Sequence, residues 1–444
     1  MQNMVIMSYE IKYTKYQGGI LMVNKKLTRI LGPVLGIMGF IVTIGVTEVT
    51  VFAESNVQAS SIQSESTTSA AVTYKDCSID INKSQTQKGI KVTVDKAIAT
   101  KHKLKVTLKI ESEISLETIK HGNSILMLTY GENDNERYTH ENTEKIDDNT
   151  MFLTLEKDNY EGEYPKKGEI RVDVVLSNYK VNIGMDIPVD FTEAFNNILK
   201  KDISGKIPEF DYTLIKMESD LMGTRIIYNE PKRGDDKDNK SDSLFNSVMI
   251  LKAGDKMYKT ESSGNYMGKD EVISGDYEVK SLTYDKVKEE KNISIIPLIC
   301  DISDKDLQKI YSKDNENQEN TKTETTNNVS YEKTIDFIDG TKGEIYNIER
   351  NDNSIKIYCK GASEKESILM VSNMYVGYQY IKEEKNHDFY KDDNISFYKD
   401  PKEAFGYVIE LDNVKKDRIV ELSFDNLIKY VDRYKLEDEI KLGK

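Results

Sequence analysis

The chain has 444 residues, with 62 basic and 76 acidic side chains, a formal net charge of −14, three Cys, four His and no Trp. This composition excludes a disulfide-dense miniprotein and a metalloenzyme built on many Cys or His ligands, and the acidic balance argues against nucleic acid as a partner. At about 100 to 200 residues per domain, the length predicts two to four domains.

The N-terminus carries an export leader. Residues Ile30 to Thr47 form a run of 18 uncharged, mostly apolar residues, preceded by Lys25, Lys26 and Arg29. The run is longer than the apolar part of an ordinary signal peptide, about 7 to 15 residues, and lies at the lower edge of a membrane-spanning helix, about 17 to 25. A cleaved signal peptide and a retained membrane anchor both stay open.

Two small-x-small sites follow the leader and end at Ala53 and Ala59. Cleavage after Ala53 is preferred, so residues 1–53 are predicted to be the signal peptide or anchor. A Gly-Gly pair just before Met22 matches a translated ribosome-binding sequence, which predicts Met22 as the true start; a genuine short cytoplasmic tail is the alternative. In either case the positive charges stay inside, and the bulk of the chain is expected on the outer face of the cytoplasmic membrane or secreted.

The three cysteines, Cys77, Cys300 and Cys359, are odd in number and far apart, with no C-x-x-C spacing. They predict buried free thiols in place of a disulfide framework.

Two polar segments divide the exported part. Residues 54–72 are rich in Ser and Thr and are predicted to be a flexible linker. Residues 312–328 contain no apolar side chain, so they cannot offset their ordering entropy by burial and are predicted to be a disordered linker. A further boundary near Phe191, ahead of TEAFNNILKK, gives predicted domains at 73–191, 192–311 and 329–444.

Alternation of apolar and polar residues dominates these domains and predicts β-strands with one face in a core and the other in water. Lys103, Lys105, Thr107 and Lys109 are the expected water-facing positions of one such strand, between Leu104, Val106, Leu108 and Ile110. Residues 183–191 repeat the pattern with Pro188 on the outward face, which predicts an edge strand. Helical spacing is scarce, and the exceptions are TEAFNNILKK and the C-terminal DNLIKYVDRYKL.

Each third of the exported part opens with a strand, a short polar loop and a second strand. The rhythm predicts an all-β chain of three tandem immunoglobulin-like β-sandwich modules of about 100 residues each, after an N-terminal signal or anchor helix. Only the general architecture is inferred, because the chain lacks the Trp and the Cys pair of antibody-type cores.

The segment KSQTQKGIKVTVDKAIATKHKLKVTLKIES, followed by MDIPVDFTEAF, resembles an uncharacterised ectodomain family of Gram-positive bacteria. Members of that family stand behind a single membrane helix in proteins related to anti-sigma factors. The stretch from DYTLIKMESDLMGTRIIYNEP to KNISIIPLICDI resembles the immunoglobulin-like domain that often follows it. The resemblance covers about residues 78–305 and implies location and architecture, but no site. The chain departs from these relatives in having no Cys or His before Cys77.

No motif for phosphate, dinucleotide, zinc-protease or acyl-transfer chemistry occurs, so we assign no catalytic, cofactor-binding or metal-ligating residue and expect no cofactor. The histidines at 102, 121, 140 and 387 occupy polar contexts and are predicted to lie at the surface; a metal site formed by His121 and His140 across a loop is the less favoured alternative.

Three further segments have both a functional and an ordinary interpretation. The acidic loop 235–242 lacks the turn glycine and the closing Glu of a calcium loop, so a solvated loop is favoured there and in GENDNE (131–136). The aromatic segment MYVGYQY (374–380) could form a contact surface, but half-buried strand aromatics are the more ordinary interpretation.

The sequence therefore predicts a non-enzymatic, exported cell-envelope protein that acts as a binding or sensing ectodomain. A structural spacer or adhesin is the alternative, and a hydrolase of envelope polymers is the least favoured. The expected partners are an envelope ligand or a membrane protein, and the membrane itself if the leader is retained.

Overall fold

The computed structural model describes residues 77–116, 124–131, 140–159, 162–230, 247–267, 273–303, 306–310, 324–326, 331–378, 394–424 and 426–443. These residues belong to one compact unit that spans Thr68–Lys444. Their structure is all-β with a few short helices, as predicted. None of those helices is long and apolar enough to cross a membrane. The predicted leader, 1–53, and the predicted linker, 54–72, lie outside the described ranges.

Two antiparallel sheets enclose the first core. The five-stranded first sheet has the order β1-β2-β3-β6-β5 and consists of β1 Ile79–Gln87, β2 Ile90–Ala99, β3 Lys103–Ser112, β6 Thr150–Asp158 and β5 His140–Lys145. The three-stranded small sheet has the order β4-β7-β8 and consists of β4 Ser124–Tyr130, β7 Lys167–Leu176 and β8 Val181–Asp190. The predicted alternation is confirmed on β2 and β8, whose apolar side chains are buried between the sheets. Within the described residues β8 is an edge strand, as its proline predicted.

The middle core lies between two further sheets. One is the middle sheet, with the order β14-β15-β11-β10-β9, which consists of β14 Glu261–Met267, β15 Ile273–Val279, β11 Gly223–Asn229, β10 Tyr212–Asp220 and β9 Leu199–Ile207. A row of stacked rings crosses it, with Tyr212 and Tyr228 at 4.5 Å between centroids and Tyr228 and Tyr277 at 4.7 Å. The short helices α1 Thr192–Asn196 and α2 Tyr284–Val287 flank this sheet in the chain.

The second of these sheets is continuous between the predicted second and third modules. This long sheet has the order β18-β19-β20-β23-β22-β13-β12-β16-β25, with β26 also paired to β16. Its strands are β12 Val248–Ala253, β13 Lys256–Lys259, β16 Ile293–Cys300, β18 Lys333–Asp336, β19 Lys342–Asn351, β20 Ser354–Lys360, β22 Ile395–Lys399, β23 Gly406–Asp412, β25 Tyr434–Leu436 and β26 Ile440–Lys441. The join between β13 and β22 is the pair Met257 and Phe397, and Lys256 Nζ reinforces it by reaching Glu410 Oε2 at 3.1 Å.

The C-terminal segment differs from its helical prediction. It forms two short 3₁₀ helices, Asn426–Lys429 and Val431–Arg433, and then returns to the middle of the molecule as β25 and β26. Leu442, 2 % exposed, reaches the middle core. Backbone pairing with the open edge of β16 supplies hydrogen bonds that the helical spacing could not reveal.

The last core lies between the long sheet and a last sheet of three strands, β17 Glu324–Thr326, β24 Val420–Phe424 and β21 Met374–Tyr378. Helix α3, Glu364–Asn373, packs into this core, and the side chain of Ser363 caps it by accepting from Glu366 N at 3.3 Å. The prediction of a disordered linker at 312–328 is wrong for residues 324–326, which form strand β17. Pairing with β24 and a hydrogen bond from Arg350 Nη2 to Thr326 O at 2.8 Å order these residues without any apolar side chain. Residues 312–323 lie outside the described ranges.

All three cysteines are buried and none of them forms a disulfide, as predicted.

Candidate functional site

The most unusual chemistry in the described residues lies where the middle sheet meets the first sheet. We call this contact the junction. It consists of the β10–β11 hairpin and β15 on one side, and of β3, the turn before it and the end of β6 on the other. Its centre is apolar, because Leu221 and Met222 of the hairpin turn are buried in the first core, although the chain places them beyond the predicted boundary at Phe191.

Backbone geometry fixes the hairpin turn. Gly223 has φ 139°, and a Cβ atom there would lie 2.6 Å from the carbonyl oxygen of Val279, so only glycine fits. Asp220 Oδ1 accepts a hydrogen bond from Met222 N at 2.7 Å, which holds the turn from its other end. The apolar tip is therefore held in a fixed position against the first core.

Ion pairs surround this apolar centre and cross the junction. His102 Nε2 lies 3.3 Å from Glu218 Oε2, and Lys280 Nζ lies 2.9 Å from Glu156 Oε2. Lys103 pairs with Glu278 between the same two sheets. Each of these pairs joins a residue of the first sheet, or of the turn before β3, to a residue in or directly after a strand of the middle sheet.

Cross-strand pairing places the charged side chains of Glu218, Arg225 and Glu278 side by side. Glu218 lies opposite Arg225, and Arg225 lies opposite Glu278, so one row of charge runs across β10, β11 and β15. Glu218 receives Arg225 Nη2 at 2.9 Å and Lys216 Nζ at 2.5 Å. Charged groups at such positions are usually solvated, but here the row faces the first sheet, and Glu218 and Glu278 are buried.

Two junction carboxylates are strongly stabilised in their ionised form. Burial by itself raises the pKa of Glu218, but the bonds from His102, Lys216 and Arg225 outweigh it and hold that pKa well below its usual range. Burial also opposes ionisation of Glu156, and the nearby ammonium groups of Lys105 and Lys280 outweigh it in the same way. Both residues therefore stay charged at neutral pH.

Asp276 is the exception among the junction acids. It is 0 % exposed, and neither carboxylate oxygen has a hydrogen bond from the described residues. Arg225 Nη1 is 3.5 Å from Asp276 Oδ2, but the same guanidinium already binds Glu218. Burial raises the pKa of Asp276 to about 6, and the attraction of Arg225 and Lys103 offsets this only in part.

His102 lies between backbone carbonyl oxygens and a junction carboxylate. Its Nδ1 faces the carbonyl oxygens of Asn159 at 3.1 Å and Gly162 at 3.0 Å, and carbonyl oxygens only accept hydrogen bonds. Its Nε2 faces the carboxylate of Glu218. The ring therefore lies between the loop that follows β6 and strand β10.

The sequence prediction is wrong for the junction side of β3. Lys103, Lys105 and Thr107 were expected to face water, but Lys105 is 4 % exposed and Thr107 is 1 % exposed. His102 was expected at the surface and is largely covered. The physical reason is that the hairpin and β15 pack on the outer face of the first half of β3, which is buried on both faces, whereas Lys109 further along the strand stays partly exposed.

Other residues considered from the sequence lie elsewhere. His140 begins β5, whereas His121 and the acidic loop 235–242 lie outside the described ranges. Of GENDNE, only Gly131 is described. In the 374–380 segment, Tyr378 is buried and Tyr375 is exposed, which is the ordinary pattern of a strand with one face in a core.

The junction could have been suspected from one signal. KHKLK places three cations on alternate positions of a strand, and ESDLMGTR places two acids and an arginine beside an apolar turn. Opposite charge on two segments more than 100 residues apart is compatible with a contact, but many solvated strands carry the same charges. Only the fold brings the two segments together.

Comparisons with known proteins give little further guidance. No protein-family model matches the chain, and no curated protein matches it. Among solved structures, the crystal structure of a conserved domain protein from Bacillus anthracis aligns with a TM-score of 0.38 and 16% sequence identity, over 51% of this chain and 79% of that one.

Proposed function

We propose that the chain is a non-enzymatic, exported cell-envelope protein that acts as a binding or sensing ectodomain. The buried junction carries this proposal. Strongly shifted carboxylates often mark catalytic sites, but Glu156 and Glu218 are committed to ion pairs between two sheets. Their unusual chemistry is used to hold one part of the molecule on another, which suits a body that presents a surface in a fixed orientation.

Export is supported by the leader. An apolar run behind three positive charges and ahead of a polar tail is typical of a chain that crosses the cytoplasmic membrane. We propose the outer face of that membrane, or the medium, as its location. The resemblance to ectodomains of anti-sigma-related proteins agrees with this placement and stays a proposal.

We also propose that the architecture consists of three immunoglobulin-like β-sandwich modules. Three separate hydrophobic cores support the count. The long sheet shared by the middle and last cores makes this pair one body, and the junction attaches the first core to it. The same continuity favours a second candidate function, a structural spacer, because a rod that bears load needs modules that do not bend at their joints.

Cell fractionation with N-terminal sequencing of the mature protein tests export. We expect a mature N-terminus at Glu54 if the leader is cleaved after Ala53, or an intact leader in the membrane fraction if it is retained. Ala53→Leu should block cleavage, and the matched Ala59→Leu should leave it unchanged. An intact chain that is soluble in the cytoplasm would refute the proposal.

A second experiment separates a binding ectodomain from a spacer. Cells that carry a deletion of the gene are complemented with the wild-type chain or with a chain lengthened by a second copy of the predicted linker, residues 54–72. A spacer predicts a phenotype that scales with length, whereas a binding or sensing ectodomain predicts full complementation by both chains. Turnover of an envelope polymer by the purified full-length chain would refute the non-enzymatic assignment.

A further inference from the structure

Asp276 raises a question that neither candidate function answers, because a buried carboxylate without a hydrogen bond weakens a contact when it is ionised. The groups that face it come from every element packed against it. They are Arg225 on β11, Glu278 on β15 itself, Lys103 on β3, His102 in the turn before β3, Asp158 at the end of β6, and Glu218 on β10, which shares Arg225.

The cations around Asp276 lie closer to other acids than to Asp276. Arg225 donates to Glu218 at 2.9 Å and lies further from Asp276, at 3.5 Å, while Lys103 pairs with Glu278. Ionised Asp276 therefore adds a negative charge to a buried row in which the neighbouring acids Glu218 and Glu278 lie closer to the cations. Protonated Asp276 carries no charge, so the repulsion between it and the neighbouring acid Asp158 disappears.

We propose that the junction is a proton-sensitive clamp: Asp276 takes up a proton as the pH falls from 7.5 to 5, and the first sheet and the middle sheet then hold each other more tightly. The inference rests on the junction alone and goes beyond the proposed function, so it stands or fails independently of export.

The size of the effect follows from linkage. For an acid whose pKa rises from 3.8 in the open state to about 6 in the closed state, ionisation is disfavoured in the closed state, so the contact weakens as the pH rises through that interval. The opening equilibrium of the junction should increase about tenfold between pH 5 and pH 7.5. Asp220, whose pKa burial also raises, acts in the same direction. The loss of stability from protonating Glu156 and Glu218 begins only below about pH 4.5.

Hydrogen exchange of the full-length chain, followed by mass spectrometry at pH 5, 6 and 7.5 and corrected for the intrinsic exchange rate, tests the clamp. In the wild type, the opening equilibrium constant measured in peptides covering β3, β11 and β15 should be about tenfold larger at pH 7.5 than at pH 5. Asp276→Asn mimics the protonated acid and should reduce that ratio to threefold or less. Asp186→Asn, which removes an exposed partner of Arg171 away from the junction, should keep the wild-type ratio.

His102 also faces the junction charges and lies 3.3 Å from Glu218 Oε2, so His102→Gln is the second comparison. The proposal requires the pH dependence to persist in this variant. It is overturned if the wild type shows no pH dependence at these peptides, if Asp276→Asn keeps the full tenfold ratio, or if His102→Gln alone removes it.

Discussion

The packing of the hairpin tip predicts that a substitution in the middle sheet's hairpin destabilises the first core. A domain boundary at Phe191 would not predict this. Leu221 lies in the turn between two strands of the middle sheet, yet it is 0 % exposed within the first core. Replacing it with alanine should therefore loosen β2 and β8, which are far from it in the sequence.

The magnitude follows from what alanine removes. Leu221→Ala deletes about three buried carbon groups, worth about 2 kcal/mol in transfer free energy at about 0.8 kcal/mol each. A residual cavity adds to this cost, and observed Leu→Ala values reach about 5 kcal/mol where the site cannot collapse. The turn is held by Gly223 and by the bond from Met222 N to Asp220. We therefore expect a loss of about 3 to 4 kcal/mol.

Hydrogen exchange of the full-length chain provides the assay, because it assigns the loss to a core. Leu221→Ala should lower the free energy of opening for peptides of β2, β3 and β8. The matched control is Leu214→Ala, since Leu214 lies in the same hairpin, is 1 % exposed and packs in the middle core. That variant should loosen β12 and spare β2. The reasoning is refuted if Leu221→Ala costs less than about 1 kcal/mol, or if its loss is confined to middle-core peptides.

Three further outcomes are expected. Gly223→Ala should lower stability by about 2 kcal/mol or more, because its Cβ meets the carbonyl of Val279 at φ 139°; an unchanged melting temperature in calorimetry would contradict this. Deleting residues 434–444 should speed exchange in β12 and β16, since it removes two strands paired to β16, and unchanged protection there would count against the pairing. Acid should weaken the junction below about pH 4.5, because Glu156 has a depressed pKa and its ion pairs stabilise the fold only while it is ionised. In denaturant titrations at several pH values, Glu156→Gln should make the free energy of unfolding depend less steeply on pH. An unchanged pH dependence would argue against these ion pairs.

Period-two alternation was enough to predict the strands and the all-β class. Ile183, Met185 and Ile187 are buried in β8 as expected, because that edge strand really has one face in a core and one in water. The rule was wrong at β3, where a second layer covers the polar face. Alternation shows which residues of a strand are apolar and which are polar. It does not show whether a segment more than 100 residues away packs on the polar face.

The same limit explains the C-terminus. Ile428 and Val431 have helical spacing and are buried, but they lie in short 3₁₀ turns that lead the chain back to β16. The C-terminal segment continues as strands and not as a long helix because the edge of β16, far away in the sequence, is available for pairing. The candidate site depends on the same kind of distant contact, so the sequence supplied its residues but not their assembly.

The return of β25 and β26 to β16 also affects how the molecule folds. A chain is synthesised and delivered from its N-terminus, and domains usually fold in that order. Here the sheet edge at Ile293–Cys300 is covered by β25 and β26, which lie about 130 positions later in the chain, so the edge stays open until those residues have been made. The first core draws its described members from residues up to Met222 and can form while later residues are still emerging. The other two cores include residues 434–442 and are completed only when these have emerged, and until then the exposed edge would need protection from pairing with another chain.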